Sequence, residues 1–358
     1  MHSERCTESE SAPAEGEKPM LREPVTDRSA WTRVDLERDQ TWIQHFEGEE
    51  LDEIGVAVEL ARRQSLRPGA FSREAFRLPL ISRRIARVIH ELESGRGCVL
   101  MRGLDPTRFS ADDLEILYWG LGVHLGVPIS QNAKGQRLGY VTDRGRDYAK
   151  VNVRGYTTRA ELKMHCDAAD IVTLLCVHHA RSGGESLVAS SMSIHNELLA
   201  SHPDYLEPLY QGFHFDLRGE GSTGDPDEIT YCKVPVFSYY AGRLNCRFNQ
   251  RTIEDGMRKA GMPLAGKALA AVRAVGELAR RPDLCYPMEF QPGDIQLLNN
   301  HSILHGRRAF EDFAEPGRRR LLLRMWINLD AGRPLDPAFA NRMNTGPRGG
   351  VAVRGVDY

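Results

Sequence analysis

The chain offers no cysteine framework. Its seven cysteines, Cys6, Cys98, Cys166, Cys176, Cys232, Cys246 and Cys285, are scattered, odd in number and without a C-x-x-C pair. That excludes a paired disulfide scaffold and a cysteine zinc site, and fits a reducing compartment. No run of about eighteen apolar residues occurs, so no transmembrane helix is expected, and the acidic, polar N-terminus carries no apolar leader. These absences lead to the expectation of a cytoplasmic protein. Charge of one sign is lacking too. A net charge of −2 gives no reason to expect nucleic acid or an anionic membrane as partner. A small-molecule substrate is the expected partner, and self-association into a homo-oligomer is left open. Internal repeats are absent, as is the regular strand–helix alternation of a doubly wound sheet.

What is present is an ordinary globular composition, 41% hydrophobic and 27% charged over 358 residues, enough for a sizeable core. Residues 1–28, rich in Glu, Ser and Pro, read as a disordered tail. Helical periodicity runs through 48–64 and 72–95, where Ile81, Ile85, Val88, Ile89 and Leu92 recur at three- and four-residue steps. G-C-V-L-M-R-G (97–103) reads as a buried strand, and 109–122 as a helix capped by Ser110. From about residue 137, short apolar runs alternate with Gly, Pro, Asn and Asp, the texture of a sandwich or jelly roll, with helices near 193–210 and 264–281. The expected architecture is mainly β with flanking helices: one domain over 29–335, its β core over about 95–330, and a coil-rich tail over 336–358.

Three distant stretches carry metal-site chemistry. M-H-C-D holds His165 and Asp167, N-N-H-S-I-L-H-G-R holds His301 and His305, and R-R-R-L-L-L-R-M-W holds Arg320 and Arg324. Two histidines and a carboxylate on one face of a metal leave positions open for a co-substrate and O2, the arrangement of non-heme Fe(II) oxygenases. H-x-[DE] alone is weak, because it recurs at His45/Glu47, His195/Glu197, His202/Asp204 and His214/Asp216. His195/Glu197 falls in a helical pattern, where i and i+2 diverge. His202-Pro203-Asp204 reads as a turn. His214/Asp216, on the polar face of G-F-H-F-D-L, remains a rival. His301 and His305 both follow the P-G-D-I-Q-L-L strand, and spacing does not separate them. Arg320 and Arg324 share one face of their strand, with Leu321, Leu323 and Met325 on the other. An arginine within an apolar strand needs an anion.

These motifs together resemble the taurine dioxygenase-like (TauD/TfdA) family of Fe(II)- and 2-oxoglutarate-dependent enzymes over roughly 95–330. M-H-C-D-A-A-D is similar to the family's H-x-D segment, S-G-G-E-S (182–186) to its Gly-Gly turn and following hydroxyl residue, and P-G-D-I-Q-L-L-N-N-H-S-I-L-H-G-R to its strand and distal-histidine loop. The resemblance implies a double-stranded β-helix of the clavaminate synthase-like kind. It implies His165, Asp167 and His305 as iron ligands, with Ser186 and Arg324 on the far carboxylate of 2-oxoglutarate and Arg320 beside them. It also implies hydroxylation of a small anionic or zwitterionic, amino-acid-like molecule, with release of succinate and CO2. The same cofactors support desaturation or cyclisation in secondary metabolism. The carboxylate ligand argues against halogenation. Two rival readings are a non-catalytic jelly-roll metal-binding protein, and a metal enzyme without 2-oxoglutarate in which Arg324 pairs with an internal acid. Arg154, Tyr156, Gln131 and Asn132 lie upstream where a substrate wall could form, but read first as structural.

Overall fold

The computed structural model describes residues 19–147, 153–339 and 350–353. Eleven of its strands make two facing sheets. The larger holds β1 (Ile43–His45), β2 (Cys98–Arg102), β3 (Val127–Ile129), β4 (Leu138–Val141), β6 (Ile171–His178), β9 (Ile295–Asn299) and β11 (Leu321–Asn328). Its order is β1-β2-β9-β6-β11-β3, with β4 also paired to β11. The smaller holds β5 (Leu162–His165), β7 (Ser186–Ser190), β8 (Cys285–Met288) and β10 (Ile303–Arg307), in the order β8-β7-β10-β5. All pairings among these strands are antiparallel except β1 with β2. This is the jelly-roll arrangement expected from the chain, with more helix around it than the strand-rich reading suggested.

Strand alternation decides which side chains enter the space between the sheets. On β11, Leu323, Met325 and Ile327 join the outer core beneath α1 (Gly48–Arg63), α2 (Pro79–Ser94) and α3 (Ala111–Leu125). Leu322, Arg324 and Trp326 face the other way, into the barrel. Burying each of the three apolar side chains contributes about 1.5–3 kcal/mol, so the strand's rotation is strongly specified and the arginine has no choice of face. α3 starts where expected, with the Ser110 hydroxyl accepting from Asp113 N at 3.1 Å. A second apolar cluster packs β7 and β10 under α4 (Ser191–Ser201), α5 (Leu206–Gln211), α6 (Gln250–Lys259) and α7 (Gly266–Leu278). No helix among the described residues is long and apolar enough to cross a membrane.

Several expectations need correction. Residues 19–28, read as part of a disordered tail, lie against this second cluster. Met20, Leu21 and Val25 supply apolar contact, and Val25 exchanges backbone hydrogen bonds with the Asn196 amide at 2.8 Å. Residues 1–18 lie outside the described residues. Of the expected tail over 336–358, residues 340–349 and 354–358 lie outside the described residues, while Val351 and Ala352 are buried, with Val351 N donating to Ser130 O at 3.1 Å. G-F-H-F-D-L is not a strand but a segment with isolated bridges, Phe213 to Val234 and Asp216 to Ile229. α6 was not anticipated, although Ile253 and Met257 stand four residues apart on its buried face.

Candidate active site

His165 and His305 meet because they are cross-strand partners of β5 and β10. Directly opposite residues on one face of an antiparallel pair bring their side chains together, and here the ring centroids are 4.5 Å apart. Gly306 lets the strands approach this closely: a Cβ there would lie 2.7 Å from Leu162 O and 2.9 Å from Met164 Sδ. Asp167 follows β5 by two residues. Its backbone N donates to Asn300 Oδ1 at 2.9 Å, and its carbonyl accepts from Arg247 Nη1 at 3.2 Å.

The three side chains converge. Asp167 Oδ1 lies 3.7 Å from His165 Nε2, and Asp167 Oδ2 lies 3.5 Å from His305 Nε2. These separations exceed good hydrogen bonds, and suit donors that share a cation. The His165 Nδ1–H donates to Lys163 O at 2.8 Å, leaving the Nε2 lone pair directed at the cluster. Among the described residues, this is the one group of three or more His, Cys, Asp or Glu side chains whose ligand atoms lie close enough together to hold a metal ion. The donor set therefore fits a facial Fe(II) site.

The electrostatics favour ligand forms at neutral pH. Burial, reinforced by His305, pushes the His165 imidazole down to about 4, so it is neutral. Burial alone would raise Asp167, but His305 beside it and the Arg324 charge hold its carboxyl well below the usual range. Arg218 is also near enough for its charge to oppose protonation of His165.

The rival positions have other partners. His301 is fully buried, and its Nε2 lies 2.8 Å from Asp170 Oδ1. His214 Nδ1 is 2.9 Å from Thr230 O, and Asp216 pairs with Lys259 at 2.7 Å. Neither joins the cluster.

Arg324 is buried and forms no ion pair among the described residues. Its Nε donates to Gln131 Oε1 at 2.6 Å, and its guanidinium lies over the Tyr156 ring at 4.5 Å and the Trp326 ring at 5.2 Å. Gln131 returns Nε2 to Arg324 O at 2.9 Å, so it positions the arginine. Asn132 stays local, bonding to Gln136. Arg320 stands four residues farther from the Trp326 end, buried, stacked on Phe310 at 5.1 Å, with an Nη1 that has no hydrogen-bond partner. Burial pushes its guanidinium down to about 10, partly offset by Cys176 and Asp312. Ser186 is the cross-strand partner of Arg307, which also stacks on Phe310, at 4.7 Å. The Ser186 hydroxyl bonds to the Gln296 amide across the barrel at 3.0–3.1 Å.

A cavity of about 510 Å³ opens beside His165 and Asp167, walled by Arg154, Tyr156, Arg218, Arg324 and Trp326 among others. Trp326 and Arg218 were not anticipated. Trp326 shared the inward face of Arg324 by parity and could have been found; Arg218 had no sequence signal.

The chain matches the model of the taurine catabolism dioxygenase TauD, TfdA family over residues 62–326. It is 35% identical to FR-33289 synthase of Streptomyces rubellomurinus over 320 residues, 88% of this chain and 93% of that one. It is 28% identical to the taurine hydroxylase-like protein SAT17 of Stachybotrys chartarum, covering 84% and 79%. Its fold is similar to that of an asparagine oxygenase solved with Fe(II), 3-hydroxyasparagine and succinate (TM-score 0.63, 15% identity, 80% of this chain and 93% of that one). The non-heme iron oxygenase OrfP, solved with Fe and alpha-ketoglutaric acid, is similar at TM-score 0.57 and 13% identity, covering 80% and 94%. This chain belongs to the TauD/TfdA family and is an Fe(II)- and 2-oxoglutarate-dependent dioxygenase.

Proposed function

We propose that His165, Asp167 and His305 hold the iron, and that the protein hydroxylates a small anionic or zwitterionic, amino-acid-like molecule. The observation that carries the ligand assignment is the convergence of two imidazole Nε2 atoms on one carboxylate at 3.5–3.7 Å, with Asp167 and His305 buried and His165 partly open to the cavity. Bound Fe(II), with 2-oxoglutarate and O2, supplies oxidation of a substrate C–H to C–OH, coupled to conversion of 2-oxoglutarate into succinate and CO2.

The chain's own groups prepare that chemistry. Asp167 stays ionised and His165 neutral, so neither must lose a proton to act as a ligand. Trp326 Nε1 donates to Asp167 Oδ2 at 2.9 Å and fixes the carboxylate's rotation. Two buried arginines, Arg320 and Arg324, would answer the two carboxylates of the co-substrate. The family resemblance gives the far carboxylate to Arg324 with Ser186. The order along β11 favours a division instead, with Arg324 balancing negative charge at the Asp167 end and Arg320 with Ser186 at the far end. The unpartnered Nη1 of Arg320 supports that division. The names of the similar proteins, an asparagine oxygenase and an oxygenase solved with hydroxylated arginine, support the amino-acid-like substrate. Desaturation and cyclisation remain outcomes of the same ligand set.

Succinate release across a panel of amino acids and small acids tests this reading. The expected result is substrate-stimulated succinate with a product heavier by one oxygen atom. A product lighter by two hydrogen atoms would replace hydroxylation by desaturation or ring closure.

A further inference from the structure

The wall of the cavity beside the metal ligands carries arginines besides Arg324. With Arg320 and Arg324 given to 2-oxoglutarate, Arg154 and Arg218 still line the wall beside His165 and Asp167. They come from separate segments, one preceding β5 and one following α5. Glu220, two residues beyond Arg218, is ion-paired with Arg154 and so draws the segments together at the mouth.

Arg218 is held there against its backbone preference. Its φ is 53°, in the left-handed region, and Gly219 follows at 69°. Glycine would adopt the Arg218 conformation without Cβ strain. A bulky cation in that position persists only when its surroundings over-determine it, a pattern concentrated at ligand clamps. Two hydrogen bonds brace the turn that carries it. Arg218 N donates to Asp216 Oδ1 at 2.7 Å, and the same oxygen accepts from Lys259 Nζ at 2.7 Å. Asp216, the rival ligand of the sequence reading, thus holds the turn that carries Arg218.

We infer that Arg154 and Arg218 form a clamp for an oxyanion on the primary substrate, separate from the groups that hold 2-oxoglutarate. The guanidinium fork suits planar carboxylates and tetrahedral oxyanions alike. Glu220 keeps Arg154 in place when the anion is absent. This inference rests on the oxygenase reading above and names the chemistry that its substrate must present: an anionic group a few bonds from the oxidised carbon.

Calorimetric titration of sodium sulfate or sodium acetate into the anaerobic Fe(II)/2-oxoglutarate-loaded protein tests it, with the two salts separating tetrahedral from planar preference. Saturable binding of either anion is expected. Arg154→Gln and Arg218→Gly should each weaken it by about tenfold or more, while 2-oxoglutarate affinity stays within about twofold. Arg218→Gly should also keep its Tm within about 3 °C, because relieved strain offsets lost contacts. Binding of neither anion, or equal affinity in wild type and variants, would overturn the clamp. A wild-type protein that shows no charge-transfer band with Fe(II) and 2-oxoglutarate fails the oxygenase reading; one with the band but no anion binding fails only the clamp.

Discussion

The indole Nε1 of Trp326 donates a 2.9 Å hydrogen bond to Oδ2 of Asp167, joining an inward side chain of β11 to the carboxylate between the two histidines. Arg324, two residues earlier on the same face, lies over that indole ring. One strand therefore supplies both the orientation of the acid and the neighbouring positive charge.

Trp326→Phe removes the hydrogen bond and keeps most of the packing. Fe(II) affinity should fall about 10- to 100-fold, the usual loss when a ligand's supporting bond is deleted. Titration of Fe(II) or Co(II) followed by absorbance checks it. Unchanged affinity would mean that Asp167 is held by its backbone contacts with Asn300 and Arg247 alone.

The two arginines of β11 should separate kinetically. Arg320→Ala is expected to raise the 2-oxoglutarate Kd by about 10- to 100-fold, from the loss of charge-assisted hydrogen bonds. Arg320→Lys should recover part of it, because it restores the charge without the fork. Arg324→Ala should perturb both co-substrate binding and the charge-transfer spectrum, since its charge sits nearest Asp167. Binding curves for the three variants distinguish this division from the far-carboxylate role that the family resemblance gives Arg324.

Gly306→Ala should act on the metal without touching a ligand. The added methyl would press on Leu162 O and Met164 Sδ, forcing β5 away from β10. Overpacking of this kind costs about 1–3 kcal/mol, and it would part His165 from His305. A urea midpoint and a metal titration on the same variant should both fall. Lost stability with intact metal affinity would contradict the cross-strand account of the site.

Stability should decline as pH falls. Burial pushes His301 down to about 3 and His195 down to about 4, so both are neutral in the fold, whereas the unfolded chain protonates them near 6.5. Their folded values lie below the unfolded one. The stability they contribute is therefore present above about pH 6.5 and is lost as pH falls toward the folded values. The slope contributed by each is up to about 1.4 kcal/mol per pH unit. Urea unfolding of metal-free protein between pH 7 and pH 5 reads this. His301→Asn should flatten the slope; an unchanged slope would assign it to other groups.

Period and parity made much of this molecule legible. Leu323 and Met325 against Arg324 fixed the face of β11, and Ser110 marked the start of α3. The M-H-C-D, S-G-G-E-S and terminal arginine motifs gave the family, whose model covers 62–326. What stayed hidden depended on tertiary contact. His301 lies in the turn after β9 and His305 within β10, four residues apart; a buried partner, Asp170, occupies the first, and the register with His165 brings the second to the cluster. G-F-H-F-D-L alternates like a strand, but its partners are single residues and Lys259, so alternation there produced no ladder. The packing of residues 19–28 depends on Asn196 and Tyr210, far away in sequence. Arg218 left no trace, because a left-handed arginine looks in sequence like any loop arginine.

The central claim is that His165, Asp167 and His305 hold the iron to which 2-oxoglutarate binds. Anaerobic addition of Fe(II) and 2-oxoglutarate to metal-free protein, read at the metal-to-ligand charge-transfer band, tests it most directly. The band is expected in wild type and in His214→Ala, and should be lost or strongly weakened in His165→Ala and His305→Ala. No band in wild type, or a band that survives His165→Ala and disappears in His214→Ala, would contradict it.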